Sequence, residues 1–293
     1  MGVTVLVSSG DDGAAGNKFR SSSTSSCAYD PSFPASSPYV TAVGATMGVE
    51  AGSTEVVCDA SNGGVITSGG GISKLFPPFA QQRAAINQYF QSVATQPYSG
   101  YATTGRGYPD ISLAGKNYLT FIGGTPYLSS GTSASAPAVA GMITLINAAR
   151  RAAGRPTVGW LNPALYASNG SFANDITSGN NLCTESACCQ QGYYAAPGWD
   201  PVTGFGSVDF RKLYNLLVPT SASSPTPTPA PNAPPFRMSS SPTSPTNRPS
   251  VSPSAARPTV PTRTPSSPSK RPSVNQSTGK SPAPTPSPNS ISS

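Results

Sequence analysis

Residues 130–137, with the sequence SGTSASAP, contain the residue types best suited to nucleophilic chemistry. This segment follows a glycine turn at residues 123–124 and leads into an apolar run that begins near Ala136. A hydroxyl at the start of a helix lies among free N–H groups and the positive end of the helix dipole, and both stabilise developing negative charge. Serine and threonine are also common helix caps without a chemical role. The spacing alone therefore leaves two interpretations of Ser133, a nucleophile and a cap.

The chain has 293 residues and contains no histidine. This excludes a Ser-His-Asp triad, a Cys-His dyad and a histidine-ligated metal. Any hydrolysis by this chain must use carboxylates as bases, and a carboxylate base is best matched to acidic solution. The composition therefore predicts acidic working conditions for a hydrolytic reaction.

Strand and helix patterns alternate through residues 1–218, which we expect to form the folded domain. Strands are predicted at residues 3–7, 39–43 and 118–122, and helices at residues 84–93, 136–153 and 161–166. This alternation favours an α/β domain with a mainly parallel sheet. No segment has the length and apolar character of a membrane span, so none is expected.

Residues 219–293 have a different composition from the rest of the chain. They contain 20 of the 33 prolines, 7 of the 18 basic residues and no acidic residue, so they carry the whole net charge of +7. A segment so rich in Pro, Ser and Thr buries too little apolar surface to fold, and we expect a disordered tail or stalk. Such a stalk suits contact with a cell wall or matrix. Because no basic folded patch or recognised module is visible, no nucleic-acid partner is expected.

The five cysteines form no CxxC pair, and without histidine they indicate disulfides rather than a zinc site. Disulfides in turn indicate an oxidising compartment. The plausible pairs, with one thiol left over, are Cys27 with Cys58, and Cys183 with Cys188 or Cys189.

Two Asn-x-Ser sequons, at Asn169 and Asn275, also favour secretion. Residues 1–7 nevertheless lack the basic region, long apolar run and cleavage site of a secretory signal. Because the chain opens directly on a predicted core strand, we interpret it as an N-terminally truncated domain.

Five stretches together resemble the sedolisin (serine-carboxyl peptidase) family, which includes tripeptidyl-peptidase I. The GTSxSxP pattern within residues 130–137 is shared by subtilisin-like and sedolisin nucleophile motifs, and the other four are typical of sedolisins. These four are SGD at residues 9–11, FPASSPYVTAVG at residues 33–44, GRGYPDIS at residues 105–112 and GWDPVTGFG at residues 198–206. They occur in the family order. The missing histidine agrees, because sedolisins have glutamate in place of the triad histidine.

The resemblance implies a subtilisin-like α/β fold, with residues 1–218 as the C-terminal portion of a peptidase domain. It implies Ser133 as the nucleophile and Asp11 as the oxyanion-hole residue, acting on peptide or protein substrates in a secreted or lysosome-like acidic setting. A protonated Asp11 can donate a hydrogen bond to an oxyanion, whereas a carboxylate would repel it. Asp110, within the GRGYPDIS stretch, is interpreted as a buried structural carboxylate.

The general base is the part of the family pattern that this sequence does not match. Sedolisins supply Glu and Asp four residues apart on one helix face, before the SGD turn. Glu55 and Asp59 have this spacing, but they follow the turn in a segment that looks like a hairpin, where they would lie about 13 Å apart. We therefore interpret them as solvated loop acids and expect the chain alone to be inactive.

Three interpretations of the whole protein remain open at this point. The first is a serine-type endopeptidase or tripeptidyl-peptidase, and the second is a catalytically inactive remnant tethered by its tail. A subtilisin is the third, and the lack of histidine and the acid at position 11 oppose it.

The resemblance also implies a calcium site. Its ligands would be the side chains of Asp175 and Asp200 and the carbonyls of Ile176, Ala196 and Gly198. Carboxylate and carbonyl oxygens form the hard shell that Ca²⁺ prefers. The family usually has glycine at position 196, but a carbonyl ligand does not require it. Without the resemblance, the two aspartates would be interpreted as cap or turn residues.

Overall fold

The computed structural model describes residues 2–21 and 26–218, so the predicted disordered tail at residues 219–293 lies outside the described residues. The strands are β1 Leu6–Ser8, β2 Thr41–Met47, β3 Val56–Val57, β4 Gly71–Ile72, β5 Gly107–Tyr108, β6 Ile111–Ala114, β7 Tyr118–Ile122, β8 Thr125–Ser129, β9 Ala173–Asn174 and β10 Ser207–Val208. The α-helices are α1 Gly16–Ser21, α2 Arg83–Ser92, α3 Thr132–Ala152, α4 Asn162–Ala167 and α5 Phe210–Leu217. Short 3₁₀ turns occur at Val49–Ala51, Ala60–Asn62 and Ala80–Gln82.

The principal sheet contains six strands, of which four consecutive neighbours run parallel in the order β1-β2-β6-β10. Strand β9 pairs antiparallel with β10, and β3 pairs antiparallel with β2. Helix α3 packs against β1, β2 and β6. Parallel neighbours need crossover connections, which commonly contain helices. The predicted mainly parallel sheet with flanking helices is confirmed.

Strand β2 lies inside the sheet and every one of its residues is buried. Its sequence TAVGATM carries small and β-branched side chains on both faces, as a parallel strand covered on two sides requires. The strand predicted at residues 39–43 is therefore confirmed, with its start moved to Thr41.

Strand β1 differs from its prediction as a buried strand over residues 3–7. It spans Leu6–Ser8, its residues are half-buried, and Val3 is 67% exposed. The reason is its place in the sheet: β1 is the terminal strand of the order and pairs only with β2 among the described residues. The apolar run indicated a strand correctly, but it could not tell an edge from a centre.

Helix α3 begins at Thr132, four residues before the predicted start. Its buried face includes Val139, Ile143 and Ile146, which recur at helical spacing. Pro137 lies inside the helix and has no N–H, so the carbonyl of Ser133 loses its usual helical partner. Residues 132–135 of the serine-rich motif thus form the first turn of this helix.

The hairpin formed by β7 and β8 stands apart from the principal sheet. Tyr118 pairs with Ser129 at its base, and Gly123 and Gly124 form its tip with positive φ angles. Its large exposed apolar side chains are Leu119, Phe121, Ile122, Tyr127 and Leu128. The hairpin leads directly into the first turn of α3.

The disulfides correct one predicted pair. Cys183 bonds to Cys188, which was one of the two predicted alternatives. Cys27 bonds to Cys189 and not to the predicted Cys58. Cys58 is buried beside β2 in a small apolar cluster, where burial raises the pKa of its thiol to about 12. Reactive thiolate is therefore scarce at neutral pH.

Candidate active site

The turn after β1 places Asp11 beside the start of α3. Gly10, with φ of 107°, and Gly13, with φ of 55°, adopt conformations that favour glycine on either side of the two acids. Thr67 holds this turn from outside, because its N–H donates to the Asp11 carbonyl and its carbonyl accepts from Gly13. These two backbone bonds to Thr67 hold the turn that contains Asp11.

Thr132 joins this turn to the first turn of α3. Its N–H and its hydroxyl both donate to Oδ1 of Asp11 at 2.8 Å. Its hydroxyl oxygen accepts from the Gly10 N–H at 3.2 Å, and its carbonyl accepts from the Ser8 hydroxyl at 3.1 Å. The Asp11 carboxyl is thereby held next to the residue that precedes Ser133.

Gly131 keeps the space between the acid and the helix open. Its φ is 145°, and a Cβ at this position would lie 3.1 Å from Oδ2 of Asp11. Oδ2 accepts no hydrogen bond from another described residue, while Oδ1 is engaged by Thr132. Oδ2 is therefore the carboxyl oxygen left free to contact a bound ligand.

Ser133 is an exposed residue in the first turn of α3, between buried Thr132 and half-buried Ala134. Two residues on, buried Ser135 donates to the Leu113 and Ala114 carbonyls of β6, which fixes the helix start from its other side. The structure thus brings Ser133 and Asp11 to one place, with the helix N-terminus facing the acid. Such an arrangement suits an exposed nucleophile beside a donor for an oxyanion.

A cavity of about 240 Å³ borders the turn. Its lining residues are Gly10, Asp11, Asp12, Gly13, Gly16, Asn17, Arg20 and Ser32. Arg20 lies between two acids, with Nε 3.1 Å from Oδ1 of Asp12 and Nη1 2.5 Å from Oε1 of Glu185. Burial raises the pKa of Asp12, and the Arg20 charge partly offsets this. Because both acids engage the guanidinium, Arg20 does not give the cavity a free positive charge.

Glu55 and Asp59 are not arranged as a base pair for Ser133. Oε1 of Glu55 accepts from the Thr46 hydroxyl at 2.5 Å. Asp59 is fully buried and caps the turn Ala60–Asn62 by accepting from the Ser61 N–H at 2.9 Å. The interpretation of Asp59 as a solvated loop acid is therefore wrong, because the capped turn buries it.

Asp110 is fully buried and pairs with the equally buried Arg106, Nη2 to Oδ2, at 2.6 Å. It also accepts from the Tyr166 hydroxyl and from the Ala42 N–H, both at 2.8 Å. All of these partners belong to the interior, so the interpretation of Asp110 as a structural carboxylate agrees with its surroundings.

The loop that contains residues 196–200 gathers the predicted calcium ligands. Asp175 accepts from the Gly198 N–H at 2.8 Å, and buried Asp200 accepts from the Ala196 N–H at 3.0 Å. Burial raises the pKa of Asp200 to about 7, and partial desolvation raises that of Asp175. The two aspartates, 25 residues apart in the sequence, thus meet the same loop.

The predicted ligands at this loop are oxygen atoms of the type that a calcium ion prefers. The carbonyls of Ile176, Ala196 and Gly198 accept no hydrogen bond from another described residue, so their oxygens are available. Two carboxylates and three carbonyls make a hard oxygen shell. In the part of the chain that the structure describes, no group of three or more His, Cys, Asp or Glu side chains is placed to hold a metal, so the carbonyls would be essential.

No family model matches the chain, but individual proteins do. Physarolisin of Physarum polycephalum is 37% identical over 238 residues, which are 73% of this chain and 41% of the relative. Tripeptidyl-peptidase sed1 of Aspergillus fumigatus is 37% identical over 240 residues, 74% of this chain and 36% of the relative. Tripeptidyl-peptidase 1 of Homo sapiens is 38% identical over 221 residues, 74% of this chain and 38% of the relative. The chain thus spans about two fifths of the length of these curated relatives.

A solved structure shows the same fold. It is Pseudomonas sedolisin, a serine-carboxyl proteinase, complexed with two molecules of pseudo-iodotyrostatin, and it superposes with a TM-score of 0.57 at 31% identity. The match covers 74% of this chain and 56% of that one. The parallel sheet and the turn of Asp11 against α3 therefore define a subtilisin-like α/β domain. With the sequence relatives, they identify the chain as a homologue of the sedolisin family.

Three residues near the site were not predicted from the sequence. Thr132 was visible only as part of a motif, while Arg20 and Glu185 carried no signal because they come from segments far apart in the chain. The position of Thr132 directly before the candidate nucleophile was the one available clue.

Proposed function

We propose that this chain carries the nucleophile and the oxyanion-hole acid of a serine-type peptidase that cleaves peptide bonds in acidic solution. The observation that carries the proposal is the contact between the Asp11 carboxyl and the start of α3, beside exposed Ser133. The homologues named above support a peptidase of this family.

In this mechanism Ser133 attacks the scissile carbonyl, and a tetrahedral oxyanion forms next to the helix N-terminus. The free N–H groups of the first turn and the helix dipole stabilise this charge. Oδ2 of Asp11 adds a hydrogen bond if it is protonated. A carboxylate at this position would repel the oxyanion instead of donating to it, so we expect activity only in acid.

The proton of Ser133 needs an acceptor. Glu55 and Asp59 are engaged with Thr46 and Ser61 and are not arranged as a pair to accept it. We propose that the base comes from a polypeptide outside the described residues. The competing function is a catalytically inactive remnant, tethered by its Pro/Ser/Thr-rich tail to a wall or matrix, and the placement of Glu55 and Asp59 is the observation that favours it.

The decisive experiment measures cleavage of fluorogenic peptides from pH 3 to pH 7. It uses the 293-residue chain and, in parallel, the product of its reading frame extended upstream of Met1. The proposal expects the 293-residue chain alone to be inactive and the extended product to cleave peptides in acid. Ser133→Ala should abolish that cleavage, and Ser130→Ala, which changes a serine three residues earlier in the same segment, should leave it intact.

The outcomes separate the two functions. Cleavage that survives Ser133→Ala would overturn the assignment of the nucleophile. An extended product that contains a Glu-x-x-x-Asp helix but remains inert at every pH would favour the remnant.

We also propose that Asp175 and Asp200, with the carbonyls of Ile176, Ala196 and Gly198, hold Ca²⁺. The ion would cross-link the loop by its charge and would take no part in bond cleavage.

The two disulfides support a secreted or lysosome-like location, because such bonds persist in oxidising compartments. No helix in residues 2–21 or 26–218 combines the length and the apolarity that crossing a bilayer requires.

A further inference from the structure

The sequon Asn169-Gly170-Ser171 forms an exposed turn directly after α4. Asn169 has φ of 49°, a left-handed conformation that asparagine tolerates better than most residues. The turn is ordered by two backbone bonds, from the Asn169 N–H to the Tyr166 carbonyl and from the Ser171 N–H to the Ser168 carbonyl. The sequon is therefore presented on the surface in a defined conformation.

The middle residue of the sequon faces inward while the outer two are exposed. Gly170 has φ of 78°, and a Cβ there would lie 3.0 Å from the Phe205 ring. Asn169 and Ser171 are both exposed, and their side chains form no hydrogen bond with other described residues. Packing of Gly170 on Phe205 thus leaves the side chains of Asn169 and Ser171 exposed to solvent.

The neighbours of the turn contact the residues that precede β2 and β6. Asn162, the first residue of α4, donates from its side chain to the Val40 carbonyl, at the entry to β2. Phe205, which packs on the turn, donates from its N–H to the Asp110 carbonyl, just before β6. These contacts lie at the N-terminal edge of the parallel strands, whereas Asp11 follows the C-terminal end of β1.

We propose that Asn169 is an N-glycosylation site of this protein. The donor would be an oligosaccharide linked to a lipid diphosphate. C1 of its first sugar forms a bond to Nδ2 of Asn169, its bond to the diphosphate oxygen breaks, the lipid diphosphate leaves and the amide gives up one proton. Nothing is oxidised or reduced, and the Ser171 hydroxyl completes the recognition signal.

The test is secretion of the full chain, behind a host signal peptide, from a eukaryotic cell that performs N-glycosylation. Asn275→Gln is present in all variants, which removes the other sequon. The secreted and microsomal fractions are digested with peptide N-glycosidase, and the Asn169 peptide is examined by mass spectrometry for conversion to Asp. We expect Asn169 to be converted to Asp in most of the secreted molecules. Because the turn is exposed, the glycan should be released from the native protein without denaturant.

Three matched variants separate modification from folding. Asn169→Gln and Ser171→Ala should each abolish the glycan, whereas Ser171→Thr, which keeps the hydroxyl, should retain it. The wild-type chain, which retains Asn275, is analysed in parallel. Glycan at Asn275 but not at Asn169 in that chain would overturn the proposal. So would unmodified Asn169 in chains that have formed both disulfides, since such chains have passed through the oxidising compartment. Neither readout depends on peptidase activity, so failure of the proposed function would leave this result unaffected.

Discussion

Arg106 is the largest fully buried side chain of the described residues, and its charge is balanced by Asp110 at 2.6 Å. Arg106→Met removes the cation and leaves a buried carboxylate without its partner. We expect this change to lower the free energy of unfolding by about 3–5 kcal/mol, because an unpaired buried charge is costly. Urea unfolding followed by circular dichroism measures the difference.

The matched control for this prediction is an ion pair at the surface. Lys18 lies 3.4 Å from Asp30, and its side chain is 83% exposed. Lys18→Met should change the unfolding free energy by less than about 1 kcal/mol, since solvent screens such pairs. Equal effects of the two substitutions would show that burial of Arg106 does not determine its contribution.

Short motifs indicate single candidate residues, whose roles stay predictions. Ser133, Asp11 and the structural role of Asp110 all come from short stretches with recognisable neighbours. The contact between Asp11 and Thr132 could not be predicted in this way, because the two residues are 121 positions apart and only the fold brings them together. The same limit explains the wrong disulfide: Cys27 and Cys189 are separated by 162 residues, and spacing carries no information about their contact.

At the scale of elements, Asp209 tests how one carboxylate stabilises helix α5. Its side chain accepts from the Lys212 N–H at 3.0 Å, and this bond lowers its pKa below the ordinary value of 3.8. Because the folded pKa is lowered, the stabilisation is present above pH 3.8 and is lost as the pH falls through the folded pKa. Asp209→Asn keeps a capping oxygen but removes the charge.

We therefore expect the wild type to unfold at a higher temperature than Asp209→Asn near pH 6, with the difference shrinking toward zero at pH 2. Thermal unfolding at a series of pH values provides the measurement. Asp209→Ala, which removes the capping oxygen as well, serves as the control and should stay destabilised across the series. A difference between wild type and Asp209→Asn that is constant with pH would contradict this account.

The two disulfides constrain chain segments of very different length. Cys27–Cys189 spans 162 residues and Cys183–Cys188 spans 5. On chain entropy alone, removing the long link costs about 5 kcal/mol of stability and removing the short one about 2 kcal/mol. Paired Cys→Ala variants of each link, compared by urea unfolding, should follow that order, and the reverse order would rule out the entropic explanation.

Several helices and strands were predictable because their local sequence patterns indicate the element directly. Helix α2 lies within one residue of its predicted bounds, and the predicted strand at residues 118–122 is β7. The burial of strand β1 was predicted wrongly, because its exposure to solvent depends on which strands lie beside it. Local sequence does not contain that information.

At the scale of the whole molecule, calcium should couple the loop at Asp200 to global stability. An ion that binds only the folded state adds about 2.7 kcal/mol when its concentration is 100 times its dissociation constant. We expect Ca²⁺ to raise the unfolding temperature of the full chain and a chelator to reverse this. Mg²⁺ should be less effective, because it demands a smaller and more regular shell.

Asp175→Asn is the informative variant for this prediction, since an amide oxygen can still accept from the Gly198 N–H. It should reduce the calcium response while the chain remains folded. Asp209→Asn, an acid outside the loop, should respond to calcium like the wild type. A wild-type chain whose unfolding temperature is the same with calcium and with chelator would remove calcium from this loop.

The exposed hairpin of β7 and β8 has a consequence for the integrity of the chain. Its tip at Gly123–Gly124 is the kind of surface turn that proteases nick first. A cut there would sever the backbone between Asp11 and Ser133, yet Cys27 and Cys189 lie on opposite sides of the cut and would keep the two pieces covalently joined. A nicked molecule would therefore migrate as one species until a reductant is added, and only then as two fragments.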